Sequence, residues 1–215
     1  KANRLYQFIS QMNQMIVRST DEDTIFKEAC SIAVNVGKFK MVWIGVKEEI
    51  SDKVVPRVIA GEDNGYVEMI QSTLLDNQET IISSRCEAIK KDPYIVINDI
   101  SEDHLMTWKE EALKRGYQSL MILPIRKFDE TVGIFCFYAS EKNFFDAEEI
   151  ALVVEATLDV SFALEVFENE KIRKKALQEM TESENRYHIL TEISPVGIFR
   201  TDAAGYTTYV NPRWS

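Results

Sequence analysis

The stretch from Phe144 to Leu190 contains neither glycine nor proline, the two residues that most often interrupt helices. Asp146 stands where an N-cap residue is expected, and Glu148 and Glu149 place negative charge in the first turn. The next helix-breaking residue is Pro195. The pattern therefore predicts one long helix, longer than a compact domain needs.

The two halves of this predicted helix differ in composition. The first half is expected to be buried on the preceding domain, because it is rich in apolar residues: Ile150, Leu152, Val153, Val154, Leu158, Val160, Phe162, Leu164, Val166 and Phe167. From Glu168 to Arg186 acidic and basic residues alternate, which leaves a thin apolar stripe of Ile172, Ala176, Leu177, Met180 and Tyr187. Such a stripe is typical of a solvated helix that pairs with a second copy of itself, so we expect a homodimer.

Composition excludes several kinds of partner. A net charge of -10 and a pI near 4.9 argue against a nucleic-acid-binding surface. No apolar run approaches the roughly 18 to 20 residues that a membrane span requires, and no signal-peptide core follows the first residues. The three cysteines, Cys30, Cys86 and Cys136, form no Cys-x-x-Cys pair. We therefore expect a reducing, cytoplasmic location.

Helices are predicted at the start of the chain. Leu5, Phe8, Met12 and Met15 recur at spacings of three and four, which predicts an amphipathic helix with a heptad-like seam that can join the dimer contact. Thr20 and Asp23 are spaced like a capping box, and a second buried helix is expected to follow and to end at Gly37.

Strands are grouped in the middle of the chain. The predicted elements are, in order, strands over 39–46 and 54–60 with Pro56 at an edge, helices over 67–75 and 80–89, a strand over 94–97, a helix over 104–115, and a hairpin of strands 119–125 and 131–139. Helices at both ends with strands between them predict an α+β fold. Its centre is one antiparallel sheet covered by helices on both faces.

This order of elements, with the motifs in it, resembles a GAF domain, a sensor module of bacterial signalling proteins. The resemblance covers about Leu5 to Phe167 and rests on these segments: Lys40 to Gly45, Ala60 to Tyr66, Asn98 to Ile100, Trp108 to Ala112, Arg115 to Ser119, Leu123 to Ile125, Gly133 to Phe135 and Phe144 to Asp146. It implies a central antiparallel sheet of about five to six strands.

A second resemblance follows the long helix. Glu184 to Leu190, Ser194 to Asp202 and Tyr209 to Pro212 look like the opening of a PAS domain. We expect strands near Gly197 to Asp202 and Tyr206 to Val210, forming a short hairpin. A PAS fold needs roughly 100 residues, so this piece is too short to close a core of its own.

The resemblances together imply three segments: a GAF-like sensor over 1–167, a helical coiled-coil linker over 168–190 and the N-terminal fragment of a PAS domain over 191–215. The expected function is ligand sensing and dimerisation in a bacterial signal-transduction protein. The linker relays a state change to the PAS segment and to an output domain outside this chain. In similar proteins that output is a histidine kinase or a diguanylate cyclase.

The GAF resemblance also implies a ligand site between the sheet and the segments that cross it. The matching positions are Trp43, Gly61, Tyr66, Asp99, Trp108, Tyr117, Ser119 and Met121. Apolar walls with a few polar anchors are typical of small-ligand pockets. The alternative is that the aromatic residues are ordinary core and that Asp99 caps the next turn.

Other chemistry has little support in the sequence, and no cofactor is expected. Asp63 and Asp99 have no spacing that pairs them as acid and base, and His104 and His188 lack partners at metal-ligand spacing. Cys86 is not followed by histidine as in bilin-binding GAF domains. Two alternatives stay open: a thiol-based free methionine sulfoxide reductase on the same scaffold, and a purely structural dimerisation domain.

Overall fold

Five antiparallel strands form the centre of the first of two units, Lys1–Phe167 and Glu168–Ser215. The computed structural model describes residues 2–48, 53–76 and 93–214. The strands are β1 (Met41–Lys47), β2 (Val54–Gly61), β3 (Ile95–Ile97), β4 (Ser119–Lys127) and β5 (Glu130–Ala139). Their order across the sheet is β2-β1-β5-β4-β3. The predicted hairpin joins β4 to β5, and Pro56 lies on the edge strand β2, as expected.

Helices cover both faces of this sheet, because alternate strand residues point to opposite sides. On one face, α1 (Ala2–Arg18), α2 (Glu22–Asn35) and the first part of α5 (Ala147–Ile193) share a buried cluster with the sheet. On the other face of the sheet, a second buried cluster is formed with α3 (Tyr66–Asp76), a 3-10 turn (Ile100–Glu102) and α4 (Lys109–Lys114). The α+β fold with one central antiparallel sheet is confirmed.

The caps of the helices follow from short side chains at their starts. Asp146 Oδ1 accepts hydrogen bonds from the backbone N–H groups of Glu148 and Glu149, both at 3.1 Å, so the predicted cap of α5 is confirmed. The capping box expected at Thr20 and Asp23 is wrong, because Asp21 is the N-cap of α2 and accepts from the Thr24 N–H at 2.8 Å.

The predicted helix over 104–115 is shorter than expected, since α4 begins only at Lys109. Asp103 Oδ1 accepts from the Leu105 N–H at 2.9 Å, a local turn that competes with helical hydrogen bonding. Leu105, within this turn, is 62% exposed. The chain leaves α4 through Gly116, whose φ of +75° is the expected left-handed conformation. The helix predicted over 80–89 lies outside the described residues.

The apolar side chains of α1 are part of the hydrophobic core of the first unit. Phe8 and Met12 are fully buried and Met15 is 4% exposed, all within the cluster shared by α1, α2 and α5. Leu5 packs against the same cluster and is partly buried. A side chain without exposed surface cannot contact a second chain, so the expected dimer seam over Phe8, Met12 and Met15 is corrected.

The second unit consists of the rest of α5 and a hairpin of β6 (Phe199–Thr201) and β7 (Thr207–Val210). Every side chain from 171 to 190 is exposed. The buried Asn211 organises the hairpin: its Oδ1 accepts from the Ile198 N–H, and its Nδ2 donates to the carbonyl oxygens of Thr191 and Val196. Both strands lie where the sequence predicts them.

Candidate ligand-binding site

Four aromatic side chains form the centre of the sheet face covered by α3 and α4. Trp43 comes from β1, Tyr66 begins α3, Tyr117 precedes β4 and Tyr138 lies near the end of β5. The ring centroids of the three tyrosines are 5.0 to 5.6 Å apart, and none of the four side chains is more than 5% exposed. We call these four residues the aromatic cluster.

Several buried polar atoms in this region make no hydrogen bond of normal geometry within the described part of the chain. The Trp43 Nε1 and the Tyr66 hydroxyl are buried and interact with the Tyr138 side chain, but neither makes a hydrogen bond of normal geometry to a residue that the structure describes. Nε1 of the half-buried Trp108, which packs against the cluster from the start of α4, makes no such hydrogen bond either. Because buried polar groups are almost always paired, three such atoms in one region make this region the candidate ligand site.

The Tyr117 hydroxyl differs from its neighbour, because it donates a hydrogen bond to the Glu62 carbonyl oxygen. Burial, and secondarily the charge of Asp63, raises the pKa of Tyr117 to about 12. Burial also raises the pKa of Tyr66. Both hydroxyls are therefore protonated at neutral pH, and that of Tyr66 can donate to a ligand, whereas that of Tyr117 is already used.

The cation that lies over the Tyr66 ring, Arg115, is already engaged. The Arg115 guanidinium lies 5.5 Å from the centroid of the Tyr66 ring. Its nitrogens donate to the Asn64 carbonyl oxygen at 3.2 and 3.3 Å and to Glu111 Oε2 at 2.8 Å. The buried residues that the structure assigns to this side of the sheet are all uncharged. The site is therefore suited to a neutral ligand.

Comparing two tyrosine-to-phenylalanine substitutions tests whether the Tyr66 hydroxyl is really unpartnered. Tyr66→Phe is expected to raise the free energy of unfolding by up to about 2 kcal/mol, because it removes a buried hydroxyl that makes no hydrogen bond of normal geometry to a described residue. Tyr117→Phe is the matched control and is expected to lower it by about 1 kcal/mol, because its hydroxyl is hydrogen-bonded. Urea unfolding followed by circular dichroism measures both, and a loss of stability in Tyr66→Phe would show a partnered hydroxyl.

Two of the predicted site residues lie away from the aromatic cluster. Met121 is buried in the cluster shared by α1, α2 and α5, on the opposite face of the sheet. Ser119 lies two residues earlier on the same strand and points to the same side, and its hydroxyl is within hydrogen-bond distance of the carbonyl oxygens of Asn98 and Glu141, at 3.0 and 2.5 Å. The expectation that Met121 lines the pocket is therefore corrected, and Ser119 holds two loops together.

Asp99 and Gly61 have local structural roles. Asp99 caps the 3-10 turn by accepting from the Ser101 N–H at 3.0 Å, and it pairs with Lys142 at 2.7 Å. These hydrogen bonds, chiefly the one from Lys142, lower the pKa of Asp99. Gly61 has a φ of +90°, and a Cβ there would lie 2.4 Å from the Lys40 carbonyl oxygen. The contacts of Asp99 are therefore those of a capping residue, which was the alternative to a role in ligand binding.

Tyr138 is a member of the cluster that the sequence analysis did not single out. In the sheet register it lies opposite Met41 on β1 and Leu120 on β4. Side chains along β5 alternate between the two faces of the sheet, so Tyr138 lies on the same face as Cys136. Cys136 is opposite Trp43 of β1, which places Tyr138 on the side of the aromatic cluster. Recognising it requires the register of the strands, which the sequence does not supply.

The described cysteines do not form a reactive pair. Cys30 is fully buried on the α2 side of the sheet, and Cys136 is 1% exposed on the aromatic-cluster side. Burial raises the pKa of the Cys30 thiol to about 12. Within the ranges 2–48, 53–76 and 93–214 no group of histidine, cysteine and acidic residues could hold a metal ion, and no helix is long and apolar enough to cross a membrane.

Comparison with known proteins agrees with this fold. A family model for the GAF domain matches residues 19–165, whereas no curated protein sequence matches the chain. The GAF domain of a phosphoenolpyruvate-protein phosphotransferase from Coxiella burnetii is similar in structure, with a TM-score of 0.62 and 13% identity over 80% of this chain and 99% of that one.

Two further solved structures are similar. One is a domain of a protein described as a two-component sensor histidine kinase from Sinorhizobium meliloti 1021, with a TM-score of 0.57 and 12% identity over 73% of this chain and 99% of that one. The other is free methionine-R-sulfoxide reductase from Neisseria meningitidis in complex with its substrate. Its TM-score is 0.59, with 12% identity over 77% of this chain and 93% of that one. Because the family model covers more than half of the residues, the chain belongs to the GAF domain family.

Proposed function

We propose that this chain is the ligand-sensing and dimerising part of a bacterial signal-transduction protein. GAF domains generally work in sensing and regulation, and a sensor kinase is among the similar structures. The observation that carries the ligand-binding part of the proposal is the set of buried polar atoms of Trp43, Tyr66 and Trp108 that make no hydrogen bond of normal geometry to the residues that the structure describes. Evolution rarely keeps buried donors without acceptors, because each costs about 1 to 3 kcal/mol.

The ligand of this site is a small, uncharged and planar molecule that presents hydrogen-bond acceptors. Two indole N–H groups can only donate, and the Tyr66 hydroxyl can donate or accept. The flat aromatic walls favour a planar ring. An anion is disfavoured, because the two cations beside the site are already paired, Arg115 with Glu111 and Lys40 with Glu62.

Paired small-molecule probes test this proposal. Nicotinamide carries a neutral carbonyl acceptor, nicotinate places an anion on the same ring, and toluene has no acceptor. We expect nicotinamide to raise the Tm of the whole chain, by a few degrees at about ten times its Kd, and to do so less in Trp43→Phe. Nicotinate and toluene should have smaller effects. An equal shift by nicotinate would refute the neutral ligand class, and no shift by any probe favours the purely structural reading.

The dimerising part of the proposal concerns the helical linker, residues 168–190. Its apolar residues Ile172, Met180 and Tyr187 are 50 to 59% exposed, and Ala176 is also exposed. A lone helix of this kind is marginal in water unless something covers the stripe. We propose that the linker pairs with a second copy and passes a state change to residues 191–215, the start of a PAS domain, and then to an output domain. Deleting 168–186 should weaken the dimer, and an unchanged dimer would contradict this role.

The alternative function is a thiol-based sulfoxide reductase, as in the similar protein from Neisseria meningitidis. Such chemistry needs an accessible thiolate, whereas Cys30 is buried with a raised pKa. We expect neither Cys30 nor Cys136 of the native chain to be alkylated by iodoacetamide at pH 8 within an hour, and both to react in urea. Peptide mapping by mass spectrometry measures this, with the unfolded chain as control. Rapid native alkylation of either residue would revive the reductase alternative.

A further inference from the structure

The aromatic cluster is closed to solvent, so a ligand can reach it only if part of the chain moves. Tyr66, Tyr117 and Tyr138 are at most 2% exposed, and Trp43 is 5% exposed. The Trp43 Nε1 and the Tyr66 hydroxyl are buried as well. Sites whose walls touch one another are filled through the opening of a covering segment. One of the segments around the cluster must therefore open before a ligand binds.

The turn between β2 and α3 contacts the hydroxyl end of Tyr117. It consists of Glu62, Asp63, Asn64 and Gly65, and we call these four residues the cover turn. Three of them are exposed, and Asp63 is half-buried. Because the cover turn buries little apolar surface, its local opening costs less free energy than the opening of a core strand or helix.

Left-handed backbone angles occur at both ends of the cover turn. Gly61, the last residue of β2, has a φ of +90°, and Gly65 has a φ of +72°. A Cβ at Gly65 would meet no atom within 4 Å, so the backbone is not tightly packed at this end. Glycine adopts a wide range of backbone angles, and a hinge needs residues of this kind. The two glycines therefore allow the cover turn to swing.

Hydrogen bonds of Asp63 join the cover turn to the first turn of α3. Its Oδ1 accepts from the Val67 N–H at 2.8 Å, and its carbonyl oxygen accepts from the Tyr66 N–H at 3.0 Å. The ring centroid of Tyr66 is 5.2 Å from that of Tyr117 and 5.6 Å from that of Tyr138. A movement of the cover turn therefore takes the Tyr66 ring with it and opens the cluster.

Side chains of other elements hold the cover turn in place. Nε and Nη2 of Arg115 donate to the Asn64 carbonyl oxygen at 3.3 and 3.2 Å. The Tyr117 hydroxyl donates to the Glu62 carbonyl oxygen. Lys40 Nζ lies 3.2 Å from Glu62 Oε2, but the Glu62 side chain is 66% exposed, so this ion pair contributes little. Arg115 and Tyr117 are therefore the main fastenings.

We propose that the cover turn is the entrance of the ligand site and that Arg115 and Tyr117 form its latch. This inference rests on the proposed function and adds the route by which the ligand enters. Opening breaks the hydrogen bonds of the latch while the sheet stays intact. Closing returns the Tyr66 hydroxyl to the ligand, so binding favours the closed turn and is passed first to α3.

Hydrogen exchange of the Trp43 indole tests the entrance without any ligand. The Trp43 Nε1–H makes no hydrogen bond of normal geometry within the described residues, so its exchange depends chiefly on the access of water. NMR spectroscopy of the isotope-labelled 215-residue chain in D₂O measures this rate. The backbone N–H of Phe137, fully buried in the middle of β5, reports global unfolding in the same spectra. We expect the Trp43 indole to exchange faster than the Phe137 amide.

Substitutions in the latch should increase this local opening. Arg115→Met is expected to raise the exchange rate of the Trp43 Nε1–H about fivefold to tenfold, and Tyr117→Phe about fivefold, because each variant loses hydrogen bonds to the cover turn. Arg57→Met is the matched control, since Arg57 of β2 pairs with Asp23 at an exposed position away from the turn. It should change the rate by less than about twofold.

A second control separates local opening from a general loss of stability. Val153 is fully buried on the opposite face of the sheet. Val153→Ala should raise the exchange rate of the Phe137 amide about tenfold, because it destabilises the whole unit. It should leave the exchange rate of the Trp43 Nε1–H unchanged, because opening of the cover turn does not involve Val153.

The outcomes distinguish this inference from the proposed function. Faster exchange of the Trp43 indole in both latch variants, with both controls unchanged at Trp43, supports the entrance. Unchanged exchange in the latch variants, or equal rates for Trp43 and Phe137 in the unsubstituted chain, overturns it. If nicotinamide still raises the Tm in that case, the ligand site stands and its ligand enters elsewhere. Faster exchange without a Tm shift by any probe supports the opening turn and refutes the ligand class.

Discussion

Phe39→Ala is expected to lower the free energy of unfolding by about 3 to 5 kcal/mol, enough to leave a marginal domain largely unfolded. Phe39 is 2% exposed and lies between α2 and β1. Its ring centroid is 5.0 Å from that of Phe137, 5.5 Å from Phe144 and 6.1 Å from Phe145. Removing it leaves a cavity where the sheet meets the segment before α5, and rigid rings cannot close it.

Chemical unfolding in urea measures this loss, with Tyr6→Ala as the control. Tyr6 is 75% exposed on α1, so its truncation should change the free energy of unfolding by less than about 0.5 kcal/mol. Similar losses in the two variants would mean that Phe39 does not occupy the core position described here.

Arg4→Met is expected to cost about 3 to 5 kcal/mol, more than the substitution of its partner, Glu149→Gln. Arg4 donates hydrogen bonds to Glu149 Oε1 and to the Gly37 carbonyl oxygen, and it thereby ties the start of α1 to the start of α5 and the end of α2. Glu149 is 2% exposed, whereas the Arg4 side chain is 20% exposed. Without Arg4 a buried carboxylate has no counter-charge, but without Glu149 the guanidinium still reaches water.

Thermal and urea unfolding of the two variants and of the double variant measure this asymmetry. Glu149→Gln should cost about 1 to 2 kcal/mol, and the double variant should cost less than the sum of the single losses. Arg57→Met is the control, because Arg57 pairs with Asp23 at an exposed position. Equal losses for Arg4→Met and Glu149→Gln would contradict the burial difference that underlies the prediction.

Periodicity made the secondary structure predictable where one side of an element is buried. The strands, the hairpin through Lys127 to Glu130, the helix that runs to Ile193 and the edge position of Pro56 all follow from local patterns. Local patterns failed at 104–108, where Asp103 stabilises a turn in place of the first helical turn. Competing hydrogen bonds of a single side chain are invisible to a count of apolar spacing.

The candidate site was predictable only in part. Trp43, Tyr66, Trp108 and Tyr117 were proposed from the family resemblance, and the structure gathers them on one side of the sheet. Met121 was assigned to the same group although its strand parity places it on the opposite side. Tyr138 was missed for the same reason. Which strand residues share a face depends on the register between β1, β5 and β4, and that register is fixed by pairing across the chain.

The sequence by itself determined the α+β class, the order of the elements and the long helix, because these depend on interactions between residues that are near one another in the chain. Only the tertiary structure decided which apolar residues are covered. Phe8 and Met12 became core, whereas Leu158 and Phe162 on an equally apolar helix became surface. A helix of mostly apolar residues has no preferred side of its own, so the elements packed against it select the side that is buried.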